Sequence, residues 1–236
     1  MTSPSPVALI FGASRGIGAA CASSLLDNGW RVGVTYVNSP PAAGLGRAYQ
    51  VDIRDAAAVA RVFAQAEDDF GEQVHAVVAN AGINTPAAPL ASFDPENFRQ
   101  LMEVNVFGAF NILSEAARRV RDKGAIVALT TSLVRNAVPG TGPYAATKGA
   151  VECLVRAMAK ELAGRGVRVN AVAPGPVDTD LFNAGKTDEA KARSAAMSPF
   201  NRIGRPEEIA EVVQFLLSDK ASWVHGQIVQ PNGGMI

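Results

Sequence analysis

The sequence predicts an α/β protein built on a doubly wound parallel sheet with helices on both faces, and three observations predict it. Short β-branched runs alternate with longer segments of helical period along the whole chain. The strand-like runs are apolar without alternation, the mark of strands buried on both faces. The first of them passes through a glycine-rich turn straight into a helical segment.

The elements follow in order. Residues 7–11 are wholly apolar and read as a buried strand. Residues 17–28 have helical period and stop at Gly29. Residues 31–37 form a second strand and 47–51 a weaker third. Residues 55–70 are helical, with Asp55 as N-cap. Residues 74–79 make a strand, and 94–121 a long helical stretch with an interruption expected near Gly108. Then come a strand at 125–130, a helix at 143–163, a strand at 167–173, a helix at 206–217 and a last strand at 227–230. That makes seven strands. The Pro/Ala/Gly stretch at 39–46 is a short loop. Residues 175–205 are polar and punctuated by Gly and Pro, the character of a lid or substrate loop. Without an internal repeat, low-complexity tract or linker, residues 1–236 read as a single domain.

Composition narrows the function classes. With 236 residues and 48% apolar content, the chain can bury a sizeable core. Lys+Arg and Asp+Glu are both 22, so no global field holds nucleic acid or an anionic membrane. Cys21 and Cys153 form no CxxC, which implies reduced thiols and a cytoplasmic setting. Residues 1–6 carry no basic n-region, and the apolar run at 7–13 is too short for a signal peptide. Nor does any run reach 18 apolar residues. His75 and His225 have no ligand-spaced partners, so no metal is expected. The absence of GxSxG argues against a hydrolase. Arg118, Arg119, Arg121 and Lys123 read as a solvated helix end.

The turn Gly12-Ala-Ser14-Arg15-Gly16-Ile17-Gly18 is a candidate pyrophosphate site. Glycines permit the tight backbone and let the anion approach helix amides. The second strand ends Thr35-Tyr36-Val37-Asn38, without the acid that usually holds a ribose 2′-hydroxyl. Arg15 could instead reach a 2′-phosphate, which favours NADP(H) over NAD(H). Its other reading is a solvated loop arginine. Asp52, next to Ile53, could accept from the adenine amino group or cap a helix, and both readings stand.

Tyr144-Ala-Ala-Thr-Lys148 sets a phenol and an ammonium at i and i+4 on one helix face. A neighbouring Lys⁺ is expected to lower a tyrosine pKa from its usual value of about 10. By itself the pair reads better as a helix with one aromatic and one surface lysine. It does not stand alone. Gly12-x3-Gly16-x-Gly18, Asn80-Ala81-Gly82, Tyr144-x3-Lys148 and Pro174-Gly175 occur in one order. Together they resemble the short-chain dehydrogenase/reductase family, from Val7 to the closing Gly233-Gly234. Phe11 departs from the pattern, since many members carry threonine there.

The resemblance implies a Rossmann-type seven-stranded sheet and assigns roles. Tyr144 would be the general acid in carbonyl reduction, and Lys148 would hold the nicotinamide ribose and lower the tyrosine pKa. The family's carbonyl-orienting hydroxyl lies thirteen positions before the tyrosine, at Thr131, while its neighbour Ser132 is the commoner residue type. Both remain candidates. Asn105, in Glu103-Val-Asn105-Val, matches a residue that steadies a kinked helix and a water relay near the lysine. Asn80, Ala81 and Gly82 would line the cofactor cleft, with Asp52 and Ile53 toward the adenine. Pro174, Gly175, Val177 and Thr179 would flank the nicotinamide.

Residues 174–186 and 198–206 resemble the NADPH-dependent aldehyde and carbonyl reductase branch. Reductases of 3-oxoacyl chains on acyl carrier protein are the second reading. Lys186, Lys191 and Arg193 are interleaved with Asp188 and Glu189, which gives no clear basic patch for an acidic carrier. A non-enzymatic dinucleotide sensor would be expected to lose Tyr144 or Lys148. Dehydratase and epimerase relatives usually carry larger substrate domains.

The family also implies assembly. In helix 143–163, Val151, Leu154, Val155, Met158 and Leu162 form one apolar stripe. Ala145, Ala146, Ala150, Ala157 and Ala159 leave the other faces small. A homotetramer is expected, with a homodimer as the lesser form, and Gly234-Met235-Ile236 would suit burial at a second two-fold. A buried helix in a monomer would show the same pattern.

Overall fold

A computed structural model describes residues 5–236. Residues 1–4, on which the reading of the N-terminal segment partly rests, lie outside the described residues. Seven strands form one all-parallel sheet in the order β3-β2-β1-β4-β5-β6-β7. They are β1 (Val7–Phe11), β2 (Arg31–Tyr36), β3 (Arg47–Gln50), β4 (Ala76–Ala79), β5 (Ala125–Leu129), β6 (Arg168–Val172) and β7 (Ile228–Val229). The chain runs outward from β1 to β3, then returns to lay β4 on the other side of β1. That reversal opens a crevice at the carboxyl ends of β1 and β4.

Period-two alternation divides the core into two layers. Val7, Leu9 and Phe11 face a layer shared with α2 (Ala56–Phe70), α4 (Ala109–Arg119) and α5 (Gly142–Leu162). Ala8 and Ile10 face the other, under α1 (Gly16–Asp27) and α8 (Pro206–Leu217). Phe11 is fully buried, its ring 5.6 Å from that of Phe63.

Several elements differ from the sequence reading. The fourth strand starts at Ala76 rather than 74. Just before it, the His75 imidazole takes the Val7 N–H at Nδ1, 3.1 Å away. The last strand keeps only two residues. The long helix at 94–121 divides into α3 (Pro95–Met102), a π-helical turn (Glu103–Gly108) and α4. The break has a steric side: a Cβ on Gly108 would lie 2.6 Å from the Ile53 side chain. In α5 the expected stripe is buried except for Leu154, which is half-buried, and Ala159 is buried with it rather than on an open face.

Segment 175–205 is more ordered than a plain loop. It carries α6 (Asp180–Asn183) and α7 (Asp188–Ala196). Its neck is closed by a parallel bridge between Val177 and Gly204. Gly204 N donates to Pro176 O and Asp178 N to Gly204 O, each at 2.9 Å. Among the described residues, no helix is long and apolar enough to cross a membrane.

Candidate active site

The glycine-rich turn leaves no room for a side chain at Gly12 or Gly18. Gly12 has φ +79°, and a Cβ there would lie 2.7 Å from Ala81 Cα. On Gly18 a Cβ would lie 2.2 Å from Gly12 O and 2.6 Å from Asn80 Nδ2. Asn80 Nδ2 donates to Gly12 O at 2.6 Å, so Asn80 ties β4 to the turn. Arg15 is the N-cap residue of α1 but makes no side-chain cap bond, and no acid stands in the first turn. The open amides beside a bare glycine cradle fit a pyrophosphate. Ser14 and Ile17 are half-buried around it, while Arg15 is exposed. Thr35 supports the turn from β2: its Oγ1 accepts from Gly12 N at 3.0 Å and its carbonyl from Ala13 N at 2.9 Å. The sequence reading passes over Thr35, taking that strand end only for the acid it lacks.

On the adenine side the two residues divide. Asp52 receives Arg54 in a fork, with Nε 3.0 Å from both carboxylate oxygens and Nη2 2.6 Å from Oδ2. The guanidinium holds that carboxyl below the usual range. Asp52 is not a helix cap. Asp55 caps α2, accepting from Ala58 N at 3.0 Å. Ile53 sends its side chain against Gly108 and is 4% exposed, so it serves the core and offers no side chain to the cleft.

Lys148 is buried, and its Nζ donates to Leu129 O at 3.0 Å. Tyr144 sits one turn earlier, half-buried. Burial pushes Lys148 down to about 8 and Tyr144 up to about 12. The expected lowering of the tyrosine pKa is therefore absent. Desolvation by burial is what raises the phenol.

Asn105 lies in the π turn and clamps the backbone of Ile83. Its Oδ1 accepts from Ile83 N at 2.8 Å, and its Nδ2 donates to Ile83 O at 2.9 Å. A second Nδ2 contact reaches Thr147 Oγ1 at 3.3 Å. A Cβ on Gly82 would meet Asn105 Oδ1 at 3.0 Å and Lys148 Nζ at 3.3 Å. The segment Asn80-Ala81-Gly82 is thus brought against both.

The two hydroxyl candidates are in different states. Ser132 is fully buried: its Oγ donates to Ala173 O at 2.8 Å and accepts from Asn232 Nδ2 at 3.2 Å. Thr131 Oγ1 accepts from Leu133 N at 3.3 Å, which leaves its O–H free to donate. Pro174 O receives Ser132 N at 2.9 Å, and a Cβ on Gly175 would lie 3.0 Å from Asn232 Cα. Asn232 thus joins the site unforeseen, from a tail that shows only a Pro-Asn-Gly-Gly turn in sequence. The Val177 side chain is 5% exposed and packs into the second core layer. Thr179 caps α6, and its methyl would lie 3.3 Å from a Cβ on Gly16, so the start of this segment overhangs the glycine turn. An open apolar cavity of about 340 Å³ is lined by Ala88, Leu90, Val138, Pro139, Gly140 and Pro143 among others.

Over residues 12–236 the chain matches a family model described as Enoyl-(Acyl carrier protein) reductase. It is 39% identical over 253 residues to the NADPH-dependent aldehyde reductase-like protein, chloroplastic, of Arabidopsis thaliana, covering 98% of this chain and 94% of that protein. A 3-oxoacyl-[acyl-carrier-protein] reductase of Staphylococcus aureus is 35% identical over 241 residues, covering 97% of each. A solved short chain dehydrogenase from Burkholderia cenocepacia in complex with NADP superposes with a TM-score of 0.89 at 30% identity, covering 98% of this chain and 97% of that one.

Proposed function

The chain belongs to the short-chain dehydrogenase/reductase family, and from that premise we propose that it reduces an aldehyde or ketone to an alcohol with NADPH. One observation carries the reading: Lys148 is 6% exposed one turn from Tyr144, beside Gly82 and Asn105. Burying an ammonium is costly, and a site that needs a positive charge there gives it a purpose.

Bound NADPH would supply the hydride to the carbonyl carbon. Tyr144 gives its phenolic proton to the carbonyl oxygen, while Lys148 stabilises the phenolate left behind. A phenol raised to about 12 stays protonated at neutral pH, the state that reduction requires. Thr131 donates to the carbonyl and orients it. Asn105 holds the Ile83 backbone beside Lys148. Gly12, Gly16 and Gly18 with the amides of α1 receive the pyrophosphate, and Arg15 meets the 2′-phosphate. Thr179 and Gly175 bound the nicotinamide side.

The apolar cavity at the start of α5, lined by Gly142 and Pro143, supports an uncharged substrate. The Staphylococcus aureus relative supports a second reading, a 3-oxoacyl-[acyl-carrier-protein] reductase. Against it, Lys186 is turned back onto the Phe182 carbonyl instead of facing a carrier. Absorbance assays with NADPH and NADH against apolar aldehydes, ketones and a 3-oxoacyl thioester decide between them. Faster turnover of uncharged aldehydes with NADPH is expected, and Tyr144→Phe should abolish it. Dominant thioester activity would favour the second reading, and equal turnover with NADH would sink the cofactor assignment.

The same reading makes the protein a homotetramer in a reducing compartment such as the cytoplasm. Phe107 and Phe110 are exposed on the split helix, at 59% and 50%. Ala146, Cys153 and Ala157 leave an exposed small-residue strip on α5. Sedimentation equilibrium at micromolar concentration should give about four times 24.6 kDa, and the monomer mass would refute assembly.

A further inference from the structure

Arg15 and Asp180 meet across the lip of the glycine turn. Arg15 Nε lies 3.4 Å from Asp180 Oδ2. The backbone on both sides fixes this meeting. Arg15 is the N-cap residue of α1, and Asp180 is the first residue of α6. Thr179, just before it, is bonded to Phe182 N at 3.1 Å, and its methyl faces the Gly16 backbone. The Val177–Gly204 bridge pins the neck of the segment behind them. The carboxylate is therefore delivered to the guanidinium by the fold.

The two side chains are 68% and 76% exposed, so the pair is weak and exchangeable. A phosphate carries more charge than a carboxylate and matches the guanidinium fork at least as well. It can displace Asp180, but it must compete to do so. Because α1 brings no acid of its own to its first turn, this competitor comes from the overhanging segment.

We infer that Asp180 is a specificity-determining residue, a resident counter-ion that occupies Arg15 in the cofactor-free protein and tempers its preference for a 2′-phosphate. The inference rests on the proposed reading that Arg15 meets that phosphate. An acid at this position lowers the affinity for a 2′-phosphorylated adenosine and leaves that for an unphosphorylated one nearly untouched. Discrimination between NADPH and NADH is thus set by a pair, one member on each side of the cleft.

Calorimetric titration with adenosine 2′,5′-bisphosphate and with adenosine 5′-monophosphate tests this without turnover. The proteins are the parent, Asp180→Asn, Arg15→Ala and the double variant, each checked by thermal melting. Asp180→Asn should tighten the bisphosphate by about two- to fivefold, the range of an exposed ion pair, and leave the monophosphate unchanged. In the Arg15→Ala background the gain should vanish. No gain, or an equal gain for both ligands, overturns the inference while leaving the Arg15 assignment intact. A gain that persists without Arg15 overturns it too, since Asp180 would then act by bare repulsion. If Arg15→Ala alone leaves bisphosphate binding unchanged, the Arg15 assignment itself is wrong.

Discussion

Asn232 Nδ2 donates to Ser132 Oγ across 3.2 Å, joining the C-terminal tail to the end of β5. The same Oγ donates to Ala173 O, so both hydrogen-bonding roles of Ser132 are taken inside the protein. Thr131 keeps its O–H free, which is why the proposed carbonyl contact is given to it. Thr131→Val should lower kcat by about 10²–10³-fold, as losing a donor to a developing oxyanion does. Ser132→Ala should retain most of kcat and instead cost about 1–3 kcal/mol of stability, through the unpaired buried Asn232 amide and Ala173 carbonyl. Steady-state kinetics and denaturant unfolding of both variants check the division. A reversed pattern would return the role to Ser132.

Asn105 should matter for stability before it matters for chemistry. It satisfies both the N–H and the C=O of Ile83 from a nearly fully buried position. Asn105→Ala leaves that backbone pair unpartnered and should cost about 2–4 kcal/mol. Thr147→Val removes the longer 3.3 Å contact and the Thr147 hydroxyl's own 2.7 Å bond to the Tyr144 carbonyl, but leaves the Ile83 pair bonded, and should cost less than half as much. Urea unfolding of the two variants gives the comparison, and equal costs would show that the Ile83 clamp is not the main role.

Much of this was legible in the sequence, for reasons that name its limits. Apolar runs such as Val7–Phe11 showed the buried parallel strands because both faces need the same chemistry. Gly12 and Gly18 were legible because nothing else fits there. Long-range hydrogen bonds were not. Thr35 under the glycine turn and Asn232 behind Ser132 act at separations of 23 and 100 residues, which no local pattern encodes. Ile53 shows the converse: its neighbour Asp52 suggests a cofactor contact, but its side chain fills the gap over Gly108. The tyrosine pKa was misjudged because spacing at i and i+4 does not say where Nζ points or how dry the pocket is.

The two glycines at positions 16 and 18 should respond differently to alanine. A Cβ on Gly18 collides with backbone at 2.2 Å and with Asn80 at 2.6 Å, so the turn itself must open. At Gly16 the nearest atom is a threonine methyl at 3.3 Å, and the cost is mainly that of φ +59°, about 1–2 kcal/mol. Gly16→Ala should fold and bind NADPH more weakly. Gly18→Ala should lose detectable binding in a fluorescence titration and melt well below Gly16→Ala. Retained binding by Gly18→Ala would show that the turn is not a tight cradle.

The buried lysine gives a pH-dependent stability whose direction can be worked out. Burial holds Lys148 at about 8 in the folded protein, against 10.5 for a free side chain. Between those values the unfolded chain still binds the proton that the folded protein has released, so stability rises with pH across that window. Below pH 8 both states hold the proton and the burial cost is fully present, about 3 kcal/mol by the usual conversion. Lys148→Met removes that charge at similar length, so its stability relative to the parent should be greatest near pH 6.5. Its advantage should shrink steadily between pH 8 and pH 10.5. Guanidinium unfolding at pH 6.5, 8 and 10 follows it, and an advantage that stays constant over this range would mean that Lys148 is not desolvated as described. The same variant should lose carbonyl reduction, because in the proposed reaction the charge that burdens the fold is the one that stabilises the phenolate of Tyr144. Greater stability with lost activity in a single substitution separates a strained functional lysine from a structural one, whose removal would lower stability.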